Sequence, residues 1–300
     1  MRKIAHIINS FNANPSSDLY TAQPITFNTM LEAQARSKDV VNVELYSAQY
    51  AEDRNMVPTD FYATKDLTRS VLDLESFKKE IKLPMIGDIM DRLYAESDAE
   101  YLIYTNVDIG VYPDFYLEVN RFIDSGLDAF IINRRRLSAE YTSLDDVPRI
   151  YLDKGKKHPG FDCFVFHRDL YPQFELKDIC IGVPFIGITF AQNLFALSKK
   201  FQLFENEILT FHIGMEIFKG RAQRDYFRYN QKQFWAAMNS PLRDHMSSRK
   251  LPYNNLWLPF RLIRWGLQPS IPIRLALRLE KERFVGYFKR KRPSSAEESE

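Results

Sequence analysis

The stretch Tyr101-Leu-Ile-Tyr-Thr-Asn-Val-Asp-Ile109 is an apolar run of strand length that ends abruptly in Asn106 and Asp108, with Pro113 placed to open a helix. That order predicts an α/β fold with a mostly parallel central sheet flanked by helices. In open sheets of this kind ligands bind beyond the carboxyl ends of the strands. Asn106 and Asp108 stand on one face at i and i+2, at that mouth. Two readings are open: the pair holds a metal or polar ligand, or Asp108 caps the next helix while Asn106 satisfies turn backbone.

The chain before this strand reads β-loop-α-β. Ile4 to Asn9 is a buried strand and a polar loop runs from Asn9 to Asp18; Thr21 to Ala35 has helical spacing, and Val40 to Tyr46 alternates as a strand. A right-handed parallel unit is the expected outcome. No GxGxxG follows the first strand and no GxxxxGK[ST] occurs, so a Rossmann fingerprint and a P-loop are both excluded. Residues 47–80 read as a polar loop near the site, and Pro84 to Tyr94 as an apolar-striped helix.

After the Asn106/Asp108 turn, Pro113 to Ser125 reads as a helix stopped by Gly126, and Asp128 to Asn133 as a further strand. This strand empties into Asn133-Arg-Arg-Arg136, whose forked cations suit a phosphate; the other reading is a solvated loop paired with Asp145 and Asp146. His158-Pro-Gly-Phe-Asp162 reads as a tight turn entering a strand, with Gly160 able to let a backbone approach a ligand; turn capping by Asp162 is equally open. An apolar helix passes through Asn193, Leu194 and Leu197. Phe201 to Phe204 and Ile208 to Phe211 follow as strands, the second ending at His212, a metal ligand or a hydrogen-bonded histidine.

Two cysteines in 300 residues allow no disulfide framework, and with no span of apolar residues long enough for a membrane or a signal core the expected location is cytoplasmic. The net charge is only +2, but residues 261–292 hold ten Lys/Arg against two Glu, so a mildly acidic body carries a basic end. Trp257 to Trp265 and Ile271 to Phe288 interleave aromatics and aliphatics with arginine, which reads as two short basic amphipathic helices. Such helices either lie on an anionic membrane, here through residues 257–292, or pack their apolar face on the body. The expected division is therefore a domain at 1–240, a basic helical extension at 241–292 and a disordered acidic tail at 293–300. Nucleic acid is not an expected partner, because the acidic body offers no extended cationic groove; oligomeric state is left open.

Taken together, Asn106-Val-Asp108, the Asn9-to-Asp18 loop and Thr210-Phe-His212 resemble the GT-A-type nucleotide-sugar glycosyltransferases, over roughly residues 4–235. Tyr104 to Ile109, Ile131 to Arg135, His158 to Phe166 and Leu209 to Gly214 resemble, more closely, a group of bacterial proteins placed near that superfamily. The resemblance implies a GT-A-like, Rossmann-related fold and transfer of a sugar from a nucleotide-sugar donor to a cell-envelope glycan or lipid-linked acceptor. It implies work at the inner face of the plasma membrane, peripherally attached. Asp108 and His212 take the positions of ligands to a divalent metal, Mn or Mg. Asn9, Asn106, Asn133, Arg134, Arg135 and His158 are the expected donor-binding residues, and Asp162 and Asp178 the expected bases for an acceptor hydroxyl. Asn106 stands where the family has its first carboxylate, and a neutral oxygen holds a hard cation more weakly, so the arginines would take part of the diphosphate charge. The competing expectation is a non-catalytic module of the same fold that docks a partner through its C-terminal helices.

Overall fold

A computed structural model describes residues 1–214 and 224–291; the acidic tail at 293–300 lies outside the described residues. Nine strands, β1 (Lys3–Ile8), β2 (Asn42–Ser47), β3 (Tyr62–Ala63), β4 (Tyr101–Thr105), β5 (Ile109–Val111), β6 (Ala129–Leu137), β7 (Lys156–His167), β8 (Phe201–Phe204) and β9 (Thr210–Ile213), form one sheet. Its order is β3-β2-β1-β4-β7-β6-β9-β5, with β8 also paired to β6. The helices are α1 (Asp18–Ser37), α2 (Ile86–Glu96), α3 (Phe115–Asp124), α4 (Val147–Leu152), α5 (Ile186–Leu197), α6 (Arg224–Met238), α7 (Leu258–Leu267) and α8 (Ile273–Lys291). This is the α/β class expected, with a C-terminal helical region.

Local chemistry sets the element ends. Ser17 caps α1 by accepting from the Leu19 amide at 3.3 Å, and Gly126 ends the α3 segment at φ +85, a left-handed conformation that a side chain resists. The stripe Ile86, Ile89, Met90 and Leu93 turns α2 onto one face of the sheet, where the main core also takes Phe190 and Leu194 of α5 and Phe234 of α6. The other face is covered by α1 and α3 through Met30, Phe115, Val119 and Phe122. Between the layers His6 is fully buried on β1, held by Tyr116 and Thr105 at 2.9 Å each, and burial pushes its imidazole down to about 3, so it is neutral.

Strand direction decides which residues can meet. β1, β2 and β4 run parallel, while β7 lies antiparallel between β4 and β6 and makes those two parallel to each other. Since β9 is parallel to β6, the carboxyl ends of β4, β6 and β9 and the start of β7 share one edge. The chain leaves β4 there, turns through Asn106–Asp108 and crosses to the far end of the sheet to form β5 against β9.

Three expectations need correction. The arginines are not a loop after a strand: β6 continues through Arg134, Arg135 and Arg136, which pair with the early part of β7. His158-Pro-Gly is likewise no turn, because β7 runs unbroken from Lys156. A proline survives inside this strand because the β6–β7 register shifts between Asn133 and Arg135, where no ladder amide is needed from Pro159. Residues 47–80 are not one loop either, since they supply β3 as an edge strand on β2.

The C-terminal helices share the main core. Trp265, Ile271, Leu275, Ala276 and Leu279 are buried with Phe190 and Phe234, and the Trp265 indole donates to Pro252 O at 2.8 Å.

Candidate functional site

Asp108 and His212 are separated by more than a hundred residues but meet where β4 hands over to β5 and β9 ends. The Ile109–His212 register of β5 and β9 aligns them, and His212 Nε2 lies 3.1 Å from Asp108 Oδ2. Both side chains are almost enclosed, at 15% and 6% exposure. Burial pushes the Asp108 carboxyl up, but the His212 contact and the nearby positive charge of Arg134 outweigh it, and the carboxyl is held below its usual range. It is therefore a buried anion at neutral pH. Its Oδ1 and the His212 Nδ1 have no hydrogen-bond partner among the described residues.

Arg134 stands beside this pair and donates through Nη1 to Asp162 Oδ1, with both side chains buried. On the far side of Asp162, His158 Nδ1 lies 3.8 Å from Oδ2. The order His158, Asp162, Arg134, Asp108, His212 thus alternates acid and base across the sheet edge. Asn133, at the β6 bulge and 2% exposed, has an amide oxygen without a partner among the described residues.

Other expected site residues are occupied differently. Asn9 donates to Ala48 O at 2.6 Å and ties the end of β1 to the chain beyond β2. Arg135 donates to Lys154 O at 2.7 Å and Gly155 O at 2.9 Å, which makes it a clamp on the α4–β7 connection. The room above Gly160 is filled by His158, whose Nδ1 accepts from the Gly160 amide at 2.9 Å; a Cβ there would fall 2.5 Å from the ring. Asp178 pairs with Arg69 at 2.9 Å, and Arg69 also holds Asp88 with two 2.8 Å hydrogen bonds. Asp162 is a poor general base, since its carboxylate already serves a buried guanidinium.

Tyr104 was not singled out by its sequence setting. Its hydroxyl donates to Asn106 Oδ1 at 2.8 Å, and its proton is retained far above the ordinary range, first by burial and then by the charge of Asp108. No sequence signal marks it, because an aromatic in a buried strand reads as core.

No family profile matches the sequence, and no curated protein matches it. The structure is similar to that of S. aureus TarS 1-349 in complex with UDP-GlcNAc, at 10% identity over 92% of this chain and 83% of that one, with a TM-score of 0.46. It is also similar to glucosyl-3-phosphoglycerate synthase from Mycobacterium tuberculosis in complex with Mn2+, UDP and phosphoglyceric acid, at 11% identity over 80% of each chain and a TM-score of 0.43. These likenesses are loose, and the chemistry of the site is read from its own geometry.

A divalent cation fits the donors present. Asp108 supplies a buried carboxylate with a free oxygen, and His212 an imidazole nitrogen beside it. Among the described residues no group of three or more His, Cys, Asp or Glu could enclose an ion. Mg2+ and similar ions are commonly held this way, by one or two protein groups with substrate phosphates and water completing the shell.

Proposed function

We propose that the chain transfers a sugar from a nucleotide-diphosphate donor, with the diphosphate seated between the Asp108–His212 pair and Arg134. The observation that carries this reading is the buried carboxylate–imidazole contact with a guanidinium at its side, on the carboxyl edge of the sheet. Asp108 and His212 would hold Mn2+ or Mg2+, which when bound supplies positive charge to the leaving diphosphate. Arg134 adds a fixed, forked cation from the protein itself, and Asp162 orients it. Asn133 offers its unpartnered carbonyl oxygen to a hydroxyl of the donor. Of the two expected bases, Asp178, half-exposed and paired with Arg69, is the one that solvent reaches.

The test is thermal unfolding with UDP, GDP and CMP, each with and without manganese. A ligand at a hundred times its Kd stabilises by about 2.7 kcal/mol, so one nucleotide should raise Tm by several degrees only when manganese is present. A flat response to all three nucleotides would favour the non-catalytic module.

The acceptor is an envelope glycan or lipid-linked sugar at a membrane face, a reading supported by the outward side of α7. Trp257, Phe260, Ile263 and Leu267 are exposed at helical spacing, with Trp257 and Leu267 each 73% open, while Trp265 on the opposite side is in the core. No helix among the described residues is long and apolar enough to cross a membrane. An exposed apolar stripe in a segment with so large a surplus of Lys/Arg matches an anionic lipid interface. Truncation at Leu256 would strip Trp265, Leu275 and Leu279 from the core, so point changes are the sharper probe. Trp257→Ser with Phe260→Ser and Leu267→Ser should abolish co-sedimentation with anionic vesicles and leave Tm within about 2 °C, as expected for surface sites. Unchanged pelleting would remove the membrane from the proposal.

A further inference from the structure

The basic charge of α8 is not spread evenly over its outer surface. A cleft of about 510 Å³ opens between α6 and α8, lined by Trp235, Asn239, Arg274 and Arg278. Arg274 and Arg278 lie one turn apart on α8, so their side chains share a face. The Arg274 guanidinium is stacked over Trp235, 5.4 Å from the ring centroid. Arg278 is fixed from the other side, donating to Asn239 Oδ1 at 3.0 Å and to Met238 O at 3.3 Å.

In this cleft the positive charge is only partly balanced. Arg274 has no ion pair among the described residues, and the two acids of α8 are engaged elsewhere, Glu280 with Arg261 at 2.6 Å and Glu282 with Arg243 at 3.0 Å. The Arg278 guanidinium is held below its ordinary value, first by burial and further by the positive charges of Arg243 and Arg274, with Glu282 offsetting in part. Its buried Nε has no hydrogen-bond partner among the described residues. Arg274 also stands in the first turn of α8, where the helix end is itself positive and a cation is the wrong sign for stability.

We propose that this cleft binds a phosphate-bearing anion, clamped by Arg274 and Arg278 with Trp235 as its wall. Two planar guanidinium groups on one face suit the tetrahedral oxygens of a phosphate mono- or diester, and the stacked indole holds one of them in place. The phosphate can come from a lipid headgroup or from a soluble compound. Ile273 and Leu277, exposed on the same helix beside the arginines, supply the apolar surface that a headgroup site needs next to its charges. The cleft's lining shares no residue with the Asp108–His212 pair, and the proposal stands whether or not sugar transfer takes place there.

The experiment uses the full chain, Arg274→Gln alone and Arg274→Gln with Arg278→Gln. One control, Lys38→Gln with Lys65→Gln, removes two exposed charges elsewhere. The first arm measures co-sedimentation with pure phosphatidylcholine vesicles and with vesicles of phosphatidylcholine and phosphatidylglycerol in equal parts. The second follows Tm against inorganic phosphate and glycerol phosphate. With about 1 kcal/mol per engaged basic residue, the double variant should bind anionic vesicles roughly 30-fold more weakly and the lysine control near wild type. A lipid source gives this loss in the vesicle arm alone; a soluble phosphate gives a Tm rise in the wild type that Arg274→Gln, which disturbs only a stacking contact, reduces. Equal losses in the arginine and lysine variants would reduce the site to diffuse surface charge. Wild-type behaviour of the double variant in both arms would overturn the proposal.

Discussion

Asp108→Ala is expected to lower turnover at least about a thousandfold, on the order of 4 kcal/mol of transition-state stabilisation, and to erase the manganese-linked rise in Tm with nucleotide. Asp108 contacts His212 and lies within the field of Arg134. Asn106 cannot replace it, being a neutral amide whose oxygen already accepts from Tyr104. The fold should survive, because the strands that carry the pair are held by backbone ladders and by the Ile25, Tyr112, Leu137 and Phe211 cluster beneath β5 and β9. Activity assayed with the nucleotide sugar found by thermal shift, together with a melting curve, checks both halves. A variant that keeps full turnover and unchanged nucleotide affinity would move the site elsewhere.

Arg134 should show a different signature, because it is half of a buried ion pair. Arg134→Met alone leaves Asp162 as an uncompensated buried charge and should cost about 3–5 kcal/mol in stability along with about a hundredfold or more in turnover. Arg134→Met combined with Asp162→Leu removes both charges, and replacing such a pair by apolar groups is often neutral, so stability should return while turnover does not. Urea unfolding and initial rates on the two single variants and the double separate the structural from the chemical part. Recovery of turnover in the double variant would show that Arg134 only neutralises Asp162. In the sequence Arg134 and Arg135 read as one phosphate clamp. Arg135 is instead committed to the Lys154 and Gly155 carbonyls, so its removal should loosen the α4–β7 connection without a selective effect on chemistry.

The fold class and the position of Asp108 and His212 were legible because each depends on signals local in sequence. An apolar strand ending in polar residues announces its own mouth, and alternating β and α segments predict strands whose carboxyl ends share an edge. The arginines were harder to place. Their charges mask the continuation of β6, and only the shifted pairing with β7, which accommodates Pro159, carries the strand through them.

The sequence by itself determined the α/β class, the acidic residue at the end of the central strand, the histidine leaving the last strand and the basic amphipathic character of the C-terminal helices, since composition and period suffice for these. Only the tertiary structure decided what each charge faces: Asp162 became the partner of Arg134, Asp178 that of Arg69, and Asn9 a tie to the Ala48 carbonyl. It also divided the C-terminal helices between a core side around Trp265 and an open side around Trp257. The physical reason is range. Secondary structure is set by neighbours a few residues apart, whereas the pairing of a buried charge depends on strand order and register, which bring together groups more than a hundred positions apart in the chain.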